Sequence, residues 1–171
     1  MPDDVDPEQL ARAICLRLLT GAPRTRAQLA AALAKRGVPQ AAAEAVLDRF
    51  VEVGLVDDAA YADAWVTSRH AGRGLARRAL GHELRQRGVG ADHVAAALAQ
   101  IDVDDEVAAA AELVRRRMSA PGRLPREVRE RRLVGMLARK GYAPALALRV
   151  VREQLDAADE SVRAGHGGGS P

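Results

Sequence analysis

The chain has 171 residues, enough for one ordinary domain or a short array of small units, and nothing in its size demands a large multidomain enzyme. Hydrophobic residues make up 48% of the sequence but aromatic residues only 2%, and this composition, rich in alanine, leucine and arginine, favours helices over strands. The formal net charge is +3, and the single cysteine, Cys15, excludes an intrachain disulfide and a cysteine-built zinc site.

The N-terminal residues are acidic. Asp3, Asp4, Asp6 and Glu8 stand where a signal peptide needs basic residues followed by an apolar run. No stretch approaches the roughly 18 to 20 apolar residues that a membrane span requires. Together with the single cysteine, these features lead us to expect a protein of the reducing cytoplasm that has no membrane partner.

The first third of the chain contains three helical patterns. The first has apolar residues four apart, namely Leu10, Ile14 and Leu18. Thr25, with Gln28 three residues later, resembles a capping box that begins a second helix. That helix ends near Gly37, since glycine is the favoured residue just beyond a helix end, and apolar residues resume at helical spacing after it.

The second of these helices and its glycine recur twice along the chain. The segment LAAALAKRGV starts at Leu29, LGHELRQRGV at Leu80 and LVGMLARKGY at Leu133, and the three align without a gap. Each has leucine eight and four residues before its glycine and a basic residue immediately before it. Apolar residues follow at the sixth, ninth and tenth positions after Gly37, Gly88 and Gly141. Each copy therefore predicts a helix, a glycine stop and a further helix.

A helical pattern also precedes each of the later copies. These patterns consist of Tyr61, Trp65 and Val66, and of Val107, Ala111, Val114 and Met118. Asp57 and Asp58 are placed to cap the helix that carries Tyr61. We predict an all-α fold of three tandem three-helix repeats, residues 1–56, 57–101 and 102–157, that form an elongated, curved array. Residues 158–171, which end in a glycine-rich run, are predicted to be a disordered tail.

The sequence contains no motif that points to catalysis. The four histidines form no i, i+4 pair, no serine lies in a nucleophile turn, and no phosphate-binding loop occurs. Asp57 and Asp58 suggest a magnesium site only as an alternative to helix caps. Tyr61 and Trp65 share a helix face, which favours core packing over base stacking. We therefore predict that the protein is not an enzyme and uses no cofactor or metal.

The charge is unevenly distributed. Residues 1–68 have seven basic and ten acidic side chains, residues 69–90 have six and one, and residues 112–140 have ten and three. Clustered arginine suggests contact with phosphates or an acidic protein, because guanidinium forms paired hydrogen bonds with planar oxyanions, whereas a solvated helix face is the alternative. The candidate partner-binding residues are Arg69, Arg73, Arg77, Arg78, Arg85, Arg115, Arg116, Arg117, Arg131 and Arg132.

The stretch VGLVDDAAYADAWVTSRHAGRGLARRALGHELRQRGV, from Val53 to Val89, resembles the signature region of the RecX family. The elements that carry the resemblance are the helix start from Gly54 to Asp58, Tyr61-Ala62, Trp65-Val66, Arg69, the turn from Gly72 to Gly74, Glu83-Leu84 and Arg87-Gly88. The resemblance extends over about residues 10 to 155. It is looser in the third repeat, where Pro121 to Pro125 lengthen a loop and Tyr142 replaces the usual apolar residue.

The resemblance implies tandem three-helix repeats and a regulatory function. Proteins of this family bind RecA, chiefly its filament on single-stranded DNA, and restrain its recombinase, ATPase and coprotease activities, although some also act positively on filament stability. In this interpretation the chain modulates recombination, DNA repair and the SOS response by occupying the filament groove or capping a growing end.

Two alternatives to this interpretation stay open at the level of sequence. One is a DNA-binding helical module that acts without RecA, since three-helix units resemble helix-turn-helix domains. The other is a purely structural helical scaffold. We expect a monomer, because the repeats give no reason to require a dimer, and the sequence does not decide whether DNA is contacted directly.

Overall fold

The computed structural model describes residues 6–118 and 124–166, and every regular element in these two ranges is an α-helix. The helices are α1 Pro7–Gly21, α2 Arg26–Lys35, α3 Gln40–Glu52, α4 Asp58–Arg73, α5 Arg77–Gln86, α6 Ala91–Leu98, α7 Val103–Met118, α8 Arg126–Arg139 and α9 Pro144–His166. Three consecutive helices belong to each repeat, which confirms the predicted all-α fold of three-helix repeats. Within the described ranges no helix has both the length and the apolar character needed to cross a membrane.

The second helix of every repeat ends in the same way. The glycine after it has a positive φ, which is +73° at Gly37, +77° at Gly88 and +91° at Gly141. The amide of the following residue then donates to the carbonyl five residues earlier, in the pairs Val38 to Leu33, Val89 to Leu84 and Tyr142 to Leu137. Glycine adopts this left-handed conformation without the steric penalty of a Cβ, so the helix stops and the next residue turns into the core.

The core positions of the repeats are equivalent as well. Both leucines of each second helix are buried, and so is the residue after each glycine. In the first repeat, Leu29 and Leu33 pack with residues of α1 and α3 such as Ile14 and Phe50. In the third repeat the same positions pack with residues of α7 and α9. The leucine spacing seen in the sequence is thus the inner face of the second helix.

The chain folds into two compact units, and their boundaries do not follow the repeats. The first unit contains the described residues up to Thr67 together with Gly81–Ala99, and the second contains Ser68–Leu80 together with the described residues from Gln100 onward. The second repeat therefore contributes to both units.

In the first unit, the start of α2 is held by residues of the second repeat. The Thr25 hydroxyl donates to the carbonyl oxygen of Arg87 at 2.7 Å, and the Arg26 amide donates to Asp58 Oδ1 at 2.9 Å. Gly88 lies so close that a Cβ added to it would be 2.3 Å from the Cβ of Ala27. These contacts join the second helix of one repeat to the next repeat along the chain.

In the second unit, the start of α5 is held by residues of the third repeat in the same manner. The Ala76 amide donates to the carbonyl oxygen of Lys140 at 2.9 Å, and the Arg77 amide donates to Glu106 Oε1 at 2.9 Å. A Cβ added to Gly141 would be 2.6 Å from the Cβ of Ala79. Each unit thus contains one repeat joint: a helix start that meets a carboxylate, a carbonyl group and a glycine of the following repeat.

Two predicted helix starts can be compared with the structure. Thr25 and Gln28 form the predicted capping box, with both reciprocal bonds at 3.1 Å. Asp57 caps α4 by accepting from the Ala60 amide at 2.9 Å, as predicted. The prediction is wrong for Asp58, because its carboxylate accepts from the start of α2 instead.

The prediction of a disordered tail is wrong for residues 158–166, because α9 continues to His166. Arg126 at the start of α8 binds Asp159 at 2.7 Å and also Asp156, so two charges on α9 are fixed one turn apart. Ser161 adds a bond from its hydroxyl to the Ala157 carbonyl oxygen. The remaining residues of the predicted tail, 167–171, lie outside the described residues.

The joint in the first unit predicts that substitutions of two equivalent glycines, Gly37 and Gly88, lower the stability by different amounts. Gly37→Ala should cost about 1 to 2 kcal/mol, the penalty of a Cβ in the left-handed region. Gly88→Ala should cost a further 1 to 3 kcal/mol or so, because its Cβ also overlaps Ala27. Urea unfolding of the two variants measures this difference. Equal losses would show that the joint relaxes around the added methyl group without cost.

Candidate partner-binding surface

The ten predicted arginines lie on four helices and in both compact units. Arg85 is in the first unit, and the other nine are in the second. Their places are α4 for Arg69 and Arg73, α5 for Arg77, Arg78 and Arg85, the last turn of α7 for Arg115, Arg116 and Arg117, and α8 for Arg131 and Arg132. Arg69 and Arg77 are half-buried, whereas the other eight are exposed.

The turn between α4 and α5 forms three hydrogen bonds with Lys140 and Tyr142, which follow α8. Lys140 Nζ donates to the carbonyl oxygen of Arg73 at 2.8 Å, and the Tyr142 hydroxyl donates to that of Gly74 at 2.7 Å. The Lys140 carbonyl accepts from Ala76, as described above. Gly74 itself has a φ of +61° and lies against the Leu113 side chain. The backbone that carries Arg73, Arg77 and Arg78 is therefore fixed on both sides of the turn.

The arginines at this turn differ in the solvent exposure of their side chains. Arg73 and Arg78 are exposed, and no ion-pair partner is found for either among the described residues. Arg77 has its backbone amide in the joint with Glu106, and its buried Nε lacks a hydrogen-bond partner within the described part of the chain. We call Arg73, Arg77, Arg78 and Lys140 the turn cluster.

The three arginines of α7 lie in the last turn of that helix, in the second unit. Arg115 lies nine residues after Glu106, which corresponds to roughly 14 Å along the helix. Arg115 and Arg116 both bind Glu112, at 3.0 and 2.8 Å, and these hydrogen bonds hold the pKa of the Glu112 carboxyl below its usual value. Part of the positive charge in this stretch is therefore neutralised within the helix.

Arg131 and Arg132 lie on the exposed face of α8. The opposite face is occupied by ion pairs with α9, in which Arg126 binds Asp159, and Glu130 accepts from Arg152 at 3.0 Å. A third arginine, Arg139, lies over Gly135 on the exposed side, since its Nη1 atom is 3.5 Å from where a Cβ of that glycine would be. Arg131, Arg132 and Arg139 are thus exposed, whereas Arg126 and Arg129 pair with carboxylates of α9.

Trp65 and its neighbours form a compact cluster in the first unit. Its ring stacks with that of Tyr61 at a centroid distance of 5.9 Å, and its Nε1 donates to Glu83 Oε2 at 2.8 Å. The guanidinium of Arg87 lies 3.8 Å from the ring centroid. These contacts support the packing interpretation over a free platform for nucleic-acid bases. The guanidinium of Arg85, a predicted site residue, lies over Gly81 nearby on α5.

No group of three or more histidine, cysteine, aspartate or glutamate side chains within residues 6–118 and 124–166 is arranged to hold a metal ion. Cys15 is fully buried in the core of the first repeat, and burial raises the pKa of its thiol. A thiol in such surroundings stays protonated and packs as an apolar group.

Lys140 and Tyr142 are the residues of this region that the sequence analysis did not select. Tyr142 was visible as a departure from the repeat, because valine takes its place in the first two copies, whereas Lys140 keeps the basic residue of the repeat. Tyr142 is buried, and burial together with the Glu106 charge raises the pKa of its hydroxyl to about 12. The hydroxyl reaches Gly74, 68 residues away in the sequence, so its role depends on the tertiary fold.

Models of protein-domain families match the chain in succession. The first three-helix domain of RecX matches residues 11–50, the second matches residues 57–98 and the third matches residues 104–151.

Proteins named Regulatory protein RecX are similar to the chain over most of its length. The protein of Thermobifida fusca is 64% identical over 154 residues, which cover 88% of this chain and 83% of that protein. That of Streptomyces coelicolor is 60% identical, with coverage of 88% and 80%. That of Mycobacterium bovis is 45% identical and is covered to 95%, as is this chain.

Two solved structures share the fold. The crystal structure of RecX from Lactobacillus salivarius gives a TM-score of 0.75 at 16% sequence identity, and the match covers 87% of this chain and 97% of that one. A second crystal structure, of a regulatory protein RecX, gives a TM-score of 0.71 at 24% identity and covers 86% and 72%. At these identities the similarity establishes the helical fold alone.

The buried hydroxyl of Tyr142 predicts a specific pH dependence. Because its pKa in the folded state is about 12 against 10.0 for a free tyrosine, the unfolded chain loses this proton first as the pH rises. The wild-type free energy of unfolding should therefore fall by about 1 to 3 kcal/mol between pH 10 and 12 from this group. Tyr142→Phe should be about 1 kcal/mol less stable at pH 7, where the bond to Gly74 is lost, and should lack this alkaline decrease. Urea unfolding across this range tests both effects, and parallel pH profiles would contradict the assignment.

Proposed function

The chain belongs to the RecX family of regulatory proteins, and from this premise we propose that it binds RecA, chiefly the filament on single-stranded DNA, and restrains its activities. The observation that carries the proposal is the match of all three RecX domains in order along the chain. In this proposal the protein modulates recombination and DNA repair in the cytoplasm, as a monomer. It catalyses no reaction itself and acts by occupying a site on the filament.

We assign the contact to the predicted arginines, and within the second unit the turn cluster is its main component. Guanidinium groups suit a partner that presents phosphates or carboxylates, because each forms paired hydrogen bonds with a planar oxyanion. The hydrogen bonds from Lys140 and Tyr142 support this placement, since a fixed backbone loses less conformational entropy when its side chains bind. The arginines of α7 and α8 extend the proposed surface within the same unit.

Restraint of RecA needs only differential binding. A protein that binds one conformation of the filament more tightly than the others shifts its population toward that conformation and slows the nucleotide cycle. Binding in the groove or at a growing end both act in this way, and neither requires a bond of the partner to be broken. Glu112 competes for Arg115 and Arg116 in the free protein, so the exposed arginines of the turn cluster are the first to be available.

A second candidate is DNA binding that does not require RecA. It is favoured by the exposed arginines on α8 and by the three-helix architecture, since clustered cations bind phosphates by releasing counterions. Steep salt dependence is expected in both cases. Binding to DNA alone at physiological salt would favour this candidate.

We expect substoichiometric amounts of the protein to suppress DNA-dependent ATP hydrolysis by RecA from the same organism, with single-stranded DNA in excess. Excess DNA removes sequestration as an explanation, because free DNA stays available to RecA. Suppression under these conditions supports direct regulation of the filament. Absence of any effect would overturn the proposal and favour the DNA-binding module.

Charge reversal should locate the surface. The double variant Arg73→Glu with Arg78→Glu should weaken filament binding about tenfold or more, because two attractions become repulsions. Arg77 is left unchanged, since its amide takes part in the joint with Glu106. The matched control is Arg12→Glu with Arg17→Glu, two exposed arginines of α1 that should have little effect. Binding is measured by fluorescence anisotropy and helicity by circular dichroism. Equal affinities for the two double variants would remove the turn cluster from the site.

A further inference from the structure

The last helix extends well past the core that it helps to form. The last buried residue of α9 is Leu155, and none of residues 156–165 is buried. The match to the third RecX domain ends at residue 151, whereas α9 continues to His166. Helix ends that bury no apolar surface tend to fray, because most helical stability in proteins comes from packing. Residues 156–166 contain three acidic residues and one basic residue, Arg163, and we call them the acidic extension.

The acidic extension is joined to the start of α8 by ion pairs. The Arg126 guanidinium donates to two carboxylates about one helical turn apart, Asp156 and, at 2.7 Å, Asp159. Arg129, about one turn further along α8, has its Nη1 atom 4.0 Å from Asp159 Oδ1. Both helix segments belong to the second unit. Within this part of the chain, opposite charges rather than apolar burial therefore attach the extension to α8.

These ion pairs are accessible to competing anions. The exposed fraction of the side chain is 40% for Arg126 and 61% for Asp156, and it is still 29% for Arg129. Ion pairs that water reaches contribute little to stability and are screened by dissolved ions. A partner with many negative charges can therefore displace the two carboxylates, since each of them returns to water at little cost.

Arg126 and Arg129 lie beside candidate partner-binding residues of the same helix. Arg132 is three residues after Arg129, and residues at this spacing are neighbours on a helix surface. Residues 126–132 contain four arginines and two glutamates, so the first half of α8 is basic where the extension is acidic. Glu112 binds two candidate arginines of α7 in a similar way. In the free protein, carboxylates of the same unit therefore bind arginines that suit an anionic partner.

We infer that the acidic extension is an autoinhibitory cover, which holds Arg126 and Arg129 in the free protein and is displaced when the anionic surface of the RecA filament binds α8. The two arginines then add positive charge beside Arg132 and enlarge the contact. Because the covered state competes with binding, the extension lowers the apparent affinity for an anionic partner. The inference deepens the proposed function and rests on it for the identity of the partner.

The test removes the charge of the cover and keeps its shape. In the full chain, Asp156→Asn with Asp159→Asn replaces both carboxylates by uncharged amides of nearly equal size. The matched control is Glu153→Gln with Glu160→Gln, which removes the same charge from exposed positions of the same helix. Among the described residues neither control residue pairs with α8, and the ion pair of Glu153 is with Arg149 of α9 itself. Circular dichroism checks that both double variants keep the helicity of wild type.

Binding to RecA filaments on single-stranded DNA, measured by fluorescence anisotropy of the labelled protein, should strengthen about threefold or more for the aspartate variant. The control should change the affinity by less than about twofold, because it frees no arginine of α8. Equal affinities of wild type and both variants would overturn the inference and leave the proposed function intact. Equal strengthening by both variants would do the same, since net charge alone would explain it. Absence of binding by all three proteins would overturn the proposed function and the inference with it.

A second measurement asks whether Arg126 contacts the filament once it is released. In wild type, Arg126→Gln should change the affinity less than about twofold, because it removes the internal ion pairs together with the new contact. In the aspartate variant, the same substitution removes the contact alone and should weaken binding about threefold. Equal effects of Arg126→Gln in the two proteins would show that the cover and the contact are independent and would overturn the inference.

Discussion

The positive φ of the glycine after each second helix is the constraint on which the fold depends. At Gly37, Gly88 and Gly141 it stops the helix, turns the next residue into the core and starts the third helix. Because the missing side chain also leaves room above the backbone, the same residue lets another helix start come close at Gly88 and Gly141. One local conformation therefore defines both the core of a repeat and its joint to a neighbour.

The fold was largely predictable from the sequence because its determinants are local. Leucines four apart, the glycine stop and the capping box at Thr25 are all encoded within about ten residues, and all were confirmed. The joints were not predictable, since Asp58 accepts from an amide 32 residues away. The length of α9 was missed for the same reason, because it depends on pairing between Arg126 and residues about 30 positions later.

The candidate surface also combines features that the sequence predicts with features that depend on tertiary contacts. Charge counting located the arginine-rich stretches, but it does not show that Glu112 neutralises part of one of them or that the Arg77 amide serves a joint. It also missed Lys140 and Tyr142, which act on the turn through hydrogen bonds to backbone carbonyl groups. Residue type and spacing predict which side chains are available for binding, whereas only tertiary contacts show which of them are held in place.

The three repeats have equivalent core positions and differ at the positions that contact another repeat. The third repeat contributes Lys140 to the turn cluster and the Tyr142 hydroxyl to Gly74. The second repeat supplies the acceptors Arg87 and Asp58 to the joint of the first unit and the start of α5 to the joint of the second. Differences confined to contact positions are expected when copies of one unit keep the same folding requirements but take on separate binding tasks.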